Sequence, residues 1–288
     1  MNEIKNTECQ VIGNTLIKNE NPLANGIIKR KEHFNQKYNV DFSWFDNKNT
    51  KEFAYFLGFF YADGSNNEHN GHLTISLKEN DKEILEQFSS LFFGNRPVYV
   101  YNAKCQTNNS VRIASLTVVN KSLSKIMLDC GAMQCKTFKI RFPYWLDKSL
   151  YKHFIRGYFD GDGCLSYTFA QRNNFFGNSF LSVVTITSTE DFCLYLSQYI
   201  KGELGINSTL LCRHPENHNN NRTLQISGNK QVIRLMDWLY KDTKLYLKRK
   251  YEKLLVIKET IRKRDLIVHE IRVRNGEKVM ATINAKRK

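Results

Sequence analysis

Phe56-Leu57-Gly58-Phe59-Phe60-Tyr61-Ala62-Asp63-Gly64 returns in altered form as Ile155-Arg156-Gly157-Tyr158-Phe159-Asp160-Gly161-Asp162-Gly163. Gly58 and Gly157 stand 99 positions apart, and so do Asp63 and Asp162. A recurrence at that distance implies two copies of one structural unit. Each copy closes an apolar helical run, Glu52 to Ala62 in the first and Tyr151 to Gly161 in the second. Small residues one turn apart, Gly58 with Ala62 and Gly157 with Gly161, leave a flat strip on each helix. Two such strips predict that the helices pack backbone to backbone, which brings Asp63 and Asp162 together at the helix C-terminal ends.

A carboxylate is poorly placed at a helix C-terminus, where it loses about 0.3–1 kcal/mol against the partial negative charge of the end. Two acids side by side there raise each other's proton affinity or take a cation between them. A hard divalent ion such as Mg2+, which takes oxygen ligands and retains water, suits the pair and activates water for phosphodiester hydrolysis. The metal site so expected comprises Asp63 and Asp162 with the preceding Ala62 and Gly161. An EF-hand reading of Asp160-Gly161-Asp162-Gly163 fails, because Cys164 stands where a third ligand belongs and Gln171 where the loop needs Glu.

The two nine-residue stretches resemble the paired signature motifs of the LAGLIDADG homing endonucleases in their single-chain, two-repeat form. The resemblance implies that Asp63 and Asp162 are metal-binding acids, with Mn2+ or Ca2+ able to replace Mg2+ for binding. Both copies depart from the eponymous letters: Tyr61 replaces the first acid, whereas Asp160 retains it. In the family that position packs or caps the helix. The implied fold is α+β, a pseudo-twofold pair of αββαββα units whose antiparallel sheets form a saddle across a DNA major groove. Lys136 and Lys248, each after the last helix of its unit, resemble the family's central lysines near the scissile phosphates. Lys250 is the alternative counterpart, since Tyr246-Leu247-Lys248-Arg249-Lys250-Tyr251 offers both.

Periodicity supports the repeat on its own terms. After Gly64, Asn70-Gly71 signals a hairpin turn and Leu73–Leu77 alternates as a strand. Asp81 reads as the N-cap of a helix over Lys82–Phe93. Strands follow at Pro97–Asn102 and Val111–Val119, then a helix at Ser122–Cys130. The second unit gives strands at Cys164–Ala170 and Phe180–Thr187, a helix at Glu190–Leu204, strands at Ser208–Arg213 and Thr223–Ser227, and a helix at Lys230–Tyr240. The chain divides into an extension over 1–50, repeats over 51–149 and 150–257, and a basic tail over 258–288. In the extension, Lys29–Tyr38 reads as a short basic helix, and Phe42, Trp44 and Phe45 as cover for the first motif helix. Asn275-Gly276 in the tail permits a small hairpin, and the tail itself reads as either disordered or an added phosphate clamp.

Strands that alternate apolar with polar residues make sheets with one core face and one face able to address base edges. Thr168, Gln171, Arg172, Asn173, Asn174, Arg213, Arg222 and Gln225 are of the right types for that face. Lys78 and Ser188, at strand ends beside the acids, are candidates for holding a water network. Any one of these alone reads equally as a solvated strand residue; the set gains force from charge. Lys and Arg number 43 against 28 acids, a net +15, which points to a polyanionic partner, nucleic acid before a membrane.

Seven cysteines without C-x-x-C spacing read as free thiols in a reducing compartment. Cys212, His214 and His218 have metal-ligating side chains, but their Asn-rich setting reads as the polar tip of a hairpin. No signal peptide and no apolar run near a spanning length is evident. The expected location is intracellular: the cytoplasm of a bacterium or phage-infected cell, or an organellar matrix. The expectation is a monomeric, metal-dependent double-stranded DNA endonuclease making staggered cuts, intron-encoded or free-standing rather than part of an intein. The other class of function is a cleavage-inactive RNA maturase or DNA-binding regulator on the same fold; RNA is a partner only in that case.

Overall fold

The structure, a computed structural model, describes residues 38–104, 110–134, 136–170, 179–212 and 220–285. A short helix α1 (Ser43–Asp46) precedes the first repeat. That repeat runs α2 (Lys51–Asp63), β1 (Gly64–Asn67), β2 (His72–Lys78), α3 (Lys82–Phe92), β3 (Tyr99–Lys104), β4 (Ser110–Val119) and α4 (Lys121–Asp129). The second repeats the order as α5 (Tyr151–Asp162), β5 (Cys164–Ala170), β6 (Ser179–Thr189), α6 (Glu190–Leu204), β7 (Thr209–Leu211), β8 (Asn221–Ser227) and α7 (Asn229–Tyr240). A long helix α8 (Lys248–Ala285) follows.

The two motif helices form the centre. Thr50 caps α2 by accepting the Phe53 amide at 3.1 Å, and every residue from Phe53 to Ala62 is buried. Such all-round burial requires protein on every side of α2, and α5 supplies the side that carries Gly58. A Cβ built on Gly58 would overlap the Phe154 carbonyl, and one on Gly157 would overlap the Tyr55 carbonyl. The contact is reciprocal, glycine against backbone in both directions, as the small-residue strips predict. One turn further on, a Cβ on Gly161 would overlap the Cβ of Ala62. Phe45 of α1 is fully buried against Phe53, Phe56, Phe92 and Phe93, so the segment before the first motif does cover it.

Each repeat forms a four-stranded antiparallel sheet with the same order, β1-β2-β4-β3 and β5-β6-β8-β7. Gly71 takes φ 71° at the β1–β2 turn, and the His72 amide donates to Asn70 at 3.2 Å. Leu73, Ile75, Ala114, Leu116 and Val118 face the helices in the first sheet; Leu165, Val184, Ile186, Leu224 and Ile226 do so in the second. On the opposite faces, register pairs hydroxyl with hydroxyl: Ser76 with Ser115 at 2.9 Å and Thr187 with Thr223 at 3.0 Å. These matching rungs show how closely the two sheets follow one plan.

Several sequence expectations shift. The strand expected from Pro97 begins at Tyr99, because proline lacks the amide that a ladder uses. Asp81 does not cap α3; its carboxylate is taken by Arg249. Beyond Lys258 the chain continues in α8, which runs through Asn275-Gly276 without the hairpin. Among the described residues no helix is long and apolar enough to cross a membrane.

Replacing Gly157 by Ala forces a methyl into the Tyr55 carbonyl. With an overpacking cost of roughly 3 kcal/mol, the melting temperature should fall by about 6–12 °C. Gly202→Ala, where nothing lies within 4 Å of the added carbon, should leave it unchanged or slightly higher. Thermal unfolding followed by circular dichroism checks both; equal melting temperatures would contradict the backbone contact.

Candidate functional site

Because α2 and α5 touch along their glycines, their last residues end side by side. The chain then turns directly into a strand on each side: Gly64 and Gly163 are extended, at φ −77° and −72°. A side chain at either glycine would collide with Phe60 or Phe159 one turn back. Asp63 Oδ2 lies 3.1 Å from the position of a Cβ on Gly161, so its carboxylate sits against the residue before Asp162. Burial, and then the charge of Asp162, pushes the Asp63 carboxyl up to about 6. Asp162 keeps a solvent-facing surface, yet the protein packed around its carboxyl still raises its proton affinity.

Two lysines counter this charge. Lys136 Nζ donates to the carbonyls of Phe60 and Gly64 at 2.8 and 2.5 Å. Lys250 Nζ donates to Phe159, Gly161 and Gly163 at 2.5, 3.1 and 2.5 Å. Each amine thus bridges the last turn of its motif helix to the glycine that follows it, adding to the Gly64 and Gly163 amides that the Phe60 and Phe159 carbonyls already accept. Each also stands over the phenylalanine of its own motif, Phe60 at 5.9 Å and Phe159 at 5.0 Å. Burial lowers both lysines to about 8 against the opposing pull of nearby carboxylates: Asp162 and Asp63 on Lys136, and Asp160 foremost on Lys250.

This equivalence resolves the choice between two lysines. Lys250, not Lys248, matches Lys136; Lys248 is exposed and lies 4.0 Å from Glu83. Both begin α8, and residues two apart on a helix point to nearly opposite sides, so only one can reach the motif ends.

A cleft of about 180 Å3 opens beside Asp162, lined by Tyr61, Ala62, Lys136, Tyr158, Asp162 and Ser188 among others. Ser188 lies on the helix side of its sheet and accepts from the Tyr158 hydroxyl at 3.0 Å. Lys78 is exposed at the end of β2. The main chain of Gly161 is engaged by Lys250, whereas Ala62 contributes its methyl to the helix contact.

On the open sheet face, register places Thr168 opposite Leu181 and Gln225 opposite Thr185. Gln225 donates to Ser227 at 3.1 Å. Arg222 is not on that face. It pairs with Ser188 in the register, shares the side of Leu224 and Ile226, and is held by Glu190 at 2.9 Å. Gln171, Arg172, Asn173, Asn174 and Arg213 lie outside the described residues, as do His214 and His218. Among the described residues no three His, Cys, Asp or Glu side chains gather as a metal site.

Behind the site lies a network that the sequence did not announce. Asp160 is fully buried and accepts from Tyr240 at 2.5 Å, Tyr55 at 2.8 Å and the Leu247 amide at 2.9 Å. Burial raises its proton affinity, and the bonds from Tyr240 and Leu247 oppose that rise. Arg156, also buried, donates to Leu245, Leu239 and His153, and its guanidinium stacks 4.8 Å from the Tyr55 ring. Asp160 was visible as a motif letter, but its partners Tyr240 and Leu247 are at least 80 positions away and carry no local signal. Arg249, which joins α8 to Asp81, was hidden in a basic run.

A LAGLIDADG-like domain model matches residues 50–94 and 149–237, segments that contain both motif helices. Both repeats of this chain carry LAGLIDADG-like sequence. The structure of the I-LtrWI LAGLIDADG homing endonuclease bound to target DNA is similar at 15% identity and TM-score 0.50, covering 75% of this chain and 93% of that one. The meganuclease I-SmaMI bound to uncleavable DNA with a TTCT central four is similar at 13% identity and TM-score 0.51, covering 74% and 90%. At such identities the likeness is one of fold. Among curated protein sequences none matches this chain.

Arg156 donates to His153 Nδ1 at 2.9 Å, which requires a neutral ring, and burial followed by the Arg156 charge holds His153 down to about 3. The unfolded imidazole titrates near ~6.5, so this ring's contribution is complete above that value and is lost as pH falls toward 3. His153→Gln should therefore flatten the decline in melting temperature between about pH 6.5 and 4. A mutant declining as steeply as the parent would contradict a neutral, buried His153.

Proposed function

We propose that this protein is a site-specific double-stranded DNA endonuclease. The observation that carries the reading is the pair of acids from two repeats, meeting at a helix contact with one lysine on each side, Lys136 half-buried and Lys250 buried. The net charge of +15 and the DNA-bound state of the similar endonucleases support it.

In this reading a duplex lies across the open faces of both sheets, with Thr168 and Gln225 among the residues addressing base edges. Two carboxylates that gather no third acid, His or Cys among the described residues suit a hard, oxygen-ligated ion that keeps water in its shell, Mg2+, with Mn2+ or Ca2+ able to replace it for binding. Asp63 and Asp162 would hold it, and when bound it polarises the phosphate and acidifies water. Lys136 and Lys250 stabilise charge that develops on the phosphate oxygens of the two strands. Their carbonyl hydrogen bonds fix each Nζ before the substrate arrives, so little reorganisation remains at the moment of reaction. Both half-sites come from one chain, which needs no second copy to make a staggered cut with 3′ overhangs. The biological role proposed is homing of the host element.

Cleavage of a randomised plasmid library with Mg2+, Ca2+ or EDTA tests this. Defined sites should be cut with Mg2+ only. Asp63→Asn should abolish cutting, and Lys250→Met should slow it by roughly 10²–10³-fold. Lys248→Met should stay within about threefold of the parent, as befits an exposed, screened charge. Tight specific binding without cutting in any divalent metal would favour a binding-only protein.

A further inference from the structure

Asp160 is a fully buried carboxylate with no part in the chemistry proposed above, and its hydrogen bonds lead to one of the site lysines. Its Oδ2 accepts the Leu247 amide, and the Leu247 carbonyl accepts the Lys250 amide at 3.0 Å in the first turn of α8. The Lys250 side chain then returns to the carbonyls of Phe159 and Gly161, the two neighbours of Asp160. The chain of bonds closes on itself. Tyr240 from α7 and Tyr55 from the other motif helix complete the carboxylate's partners. Arg156 holds the same connection through the Leu239 and Leu245 carbonyls.

The first repeat solves the same problem with different groups. Tyr61, at the position equivalent to Asp160, donates to the Cys130 carbonyl after α4. Asn66 donates to Ser124 and Ala132 at 3.0 Å each, holding the segment that leads to Lys136. A phenol therefore suffices where one carbonyl must be held. Burying a carboxylate is costly unless its oxygens are bonded, and here it gathers three donors from three places in the chain.

We infer that Asp160 is a positioning residue for Lys250, and Tyr61 for Lys136, so that each motif's first-acid position governs the cut on one strand. The inference rests on the nuclease reading for its strand assignment, but the link from Asp160 to Lys250 stands on the hydrogen bonds alone. Losing it releases the start of α8 and lets Lys250 leave the end of α5, while Lys136 at the end of α2 keeps its partners.

The test uses the full chain and a supercoiled plasmid carrying a site selected from a randomised library, with the nicked strand identified by end sequencing. Asp160→Asn, and the milder Tyr240→Phe, should slow one strand roughly ten- to a hundredfold, the penalty of a displaced catalytic group. Nicked plasmid should accumulate, and Tyr61→Phe should reverse the strand bias. Equal slowing of both strands overturns the inference. Acylation of free amines followed by peptide mass spectrometry gives a readout independent of cutting. Lys250 labelling should rise severalfold in Asp160→Asn while Lys136 stays at the parental level. Unchanged Lys250 labelling overturns the inference whatever the plasmid shows. If the parent protein cuts neither strand, the nuclease reading fails, and labelling alone decides whether Asp160 holds Lys250.

Discussion

The rest of the molecule depends on two backbones touching. At Gly58 and Gly157 each motif helix meets the other's carbonyls with no side chain between them. This closeness makes the C-terminal ends of α2 and α5 neighbours, and the ends bring their acids. A conventional helix pair, with axes separated by leucines, would hold the two carboxylates well apart. The glycines therefore act on function through distance: they carry no chemistry and decide where the chemistry can occur.

Concentrating negative charge at two helix ends has a local remedy. Lys136 and Lys250 bind carbonyls at the two helix ends, and they stand close enough to the acids to act on their proton affinity. One amine thus serves as a helix cap, a counter-charge and, in the proposed reaction, an electrophilic aid. The two halves reach this arrangement by different routes. Tyr61 ties down the first lysine's segment through a carbonyl, whereas Asp160 collects two phenols and an amide to tie down the second. Duplication preserved the geometry of the site and left its supports free to diverge.

Much of this was legible in the residues. The repeated nine-residue stretch gave the helix contact, the acid pair and the twofold plan, because glycine spacing and helix ends are local signals with a direct geometric meaning. Strand alternation gave both sheets, with ends displaced by one or two positions. What escaped depended on helix phase or on distant partners. Lys248 and Lys250 differ only in which side of α8 they occupy, and nothing local fixes where that helix begins. Asp81 has the composition of a helix cap, but Arg249, 168 positions away, takes its carboxylate with bonds of 2.8 and 3.0 Å. Arg222 has the right type for base contact and the wrong parity, since Leu224 and Ile226 set that side of β8 against the helices. Gly276 reads as a turn, yet the surrounding helix formers carry α8 through it.

The central claim is that Asp63 and Asp162, one from each repeat, share a divalent ion at the end of the glycine contact. Anomalous diffraction from crystals of the protein with a selected DNA duplex and Mn2+ tests it most directly. The account predicts a manganese peak within ligand distance of both carboxylates and of a backbone phosphate. A peak bound to neither acid, or two carboxylates turned away from each other around an empty space in the manganese-soaked complex, would contradict it.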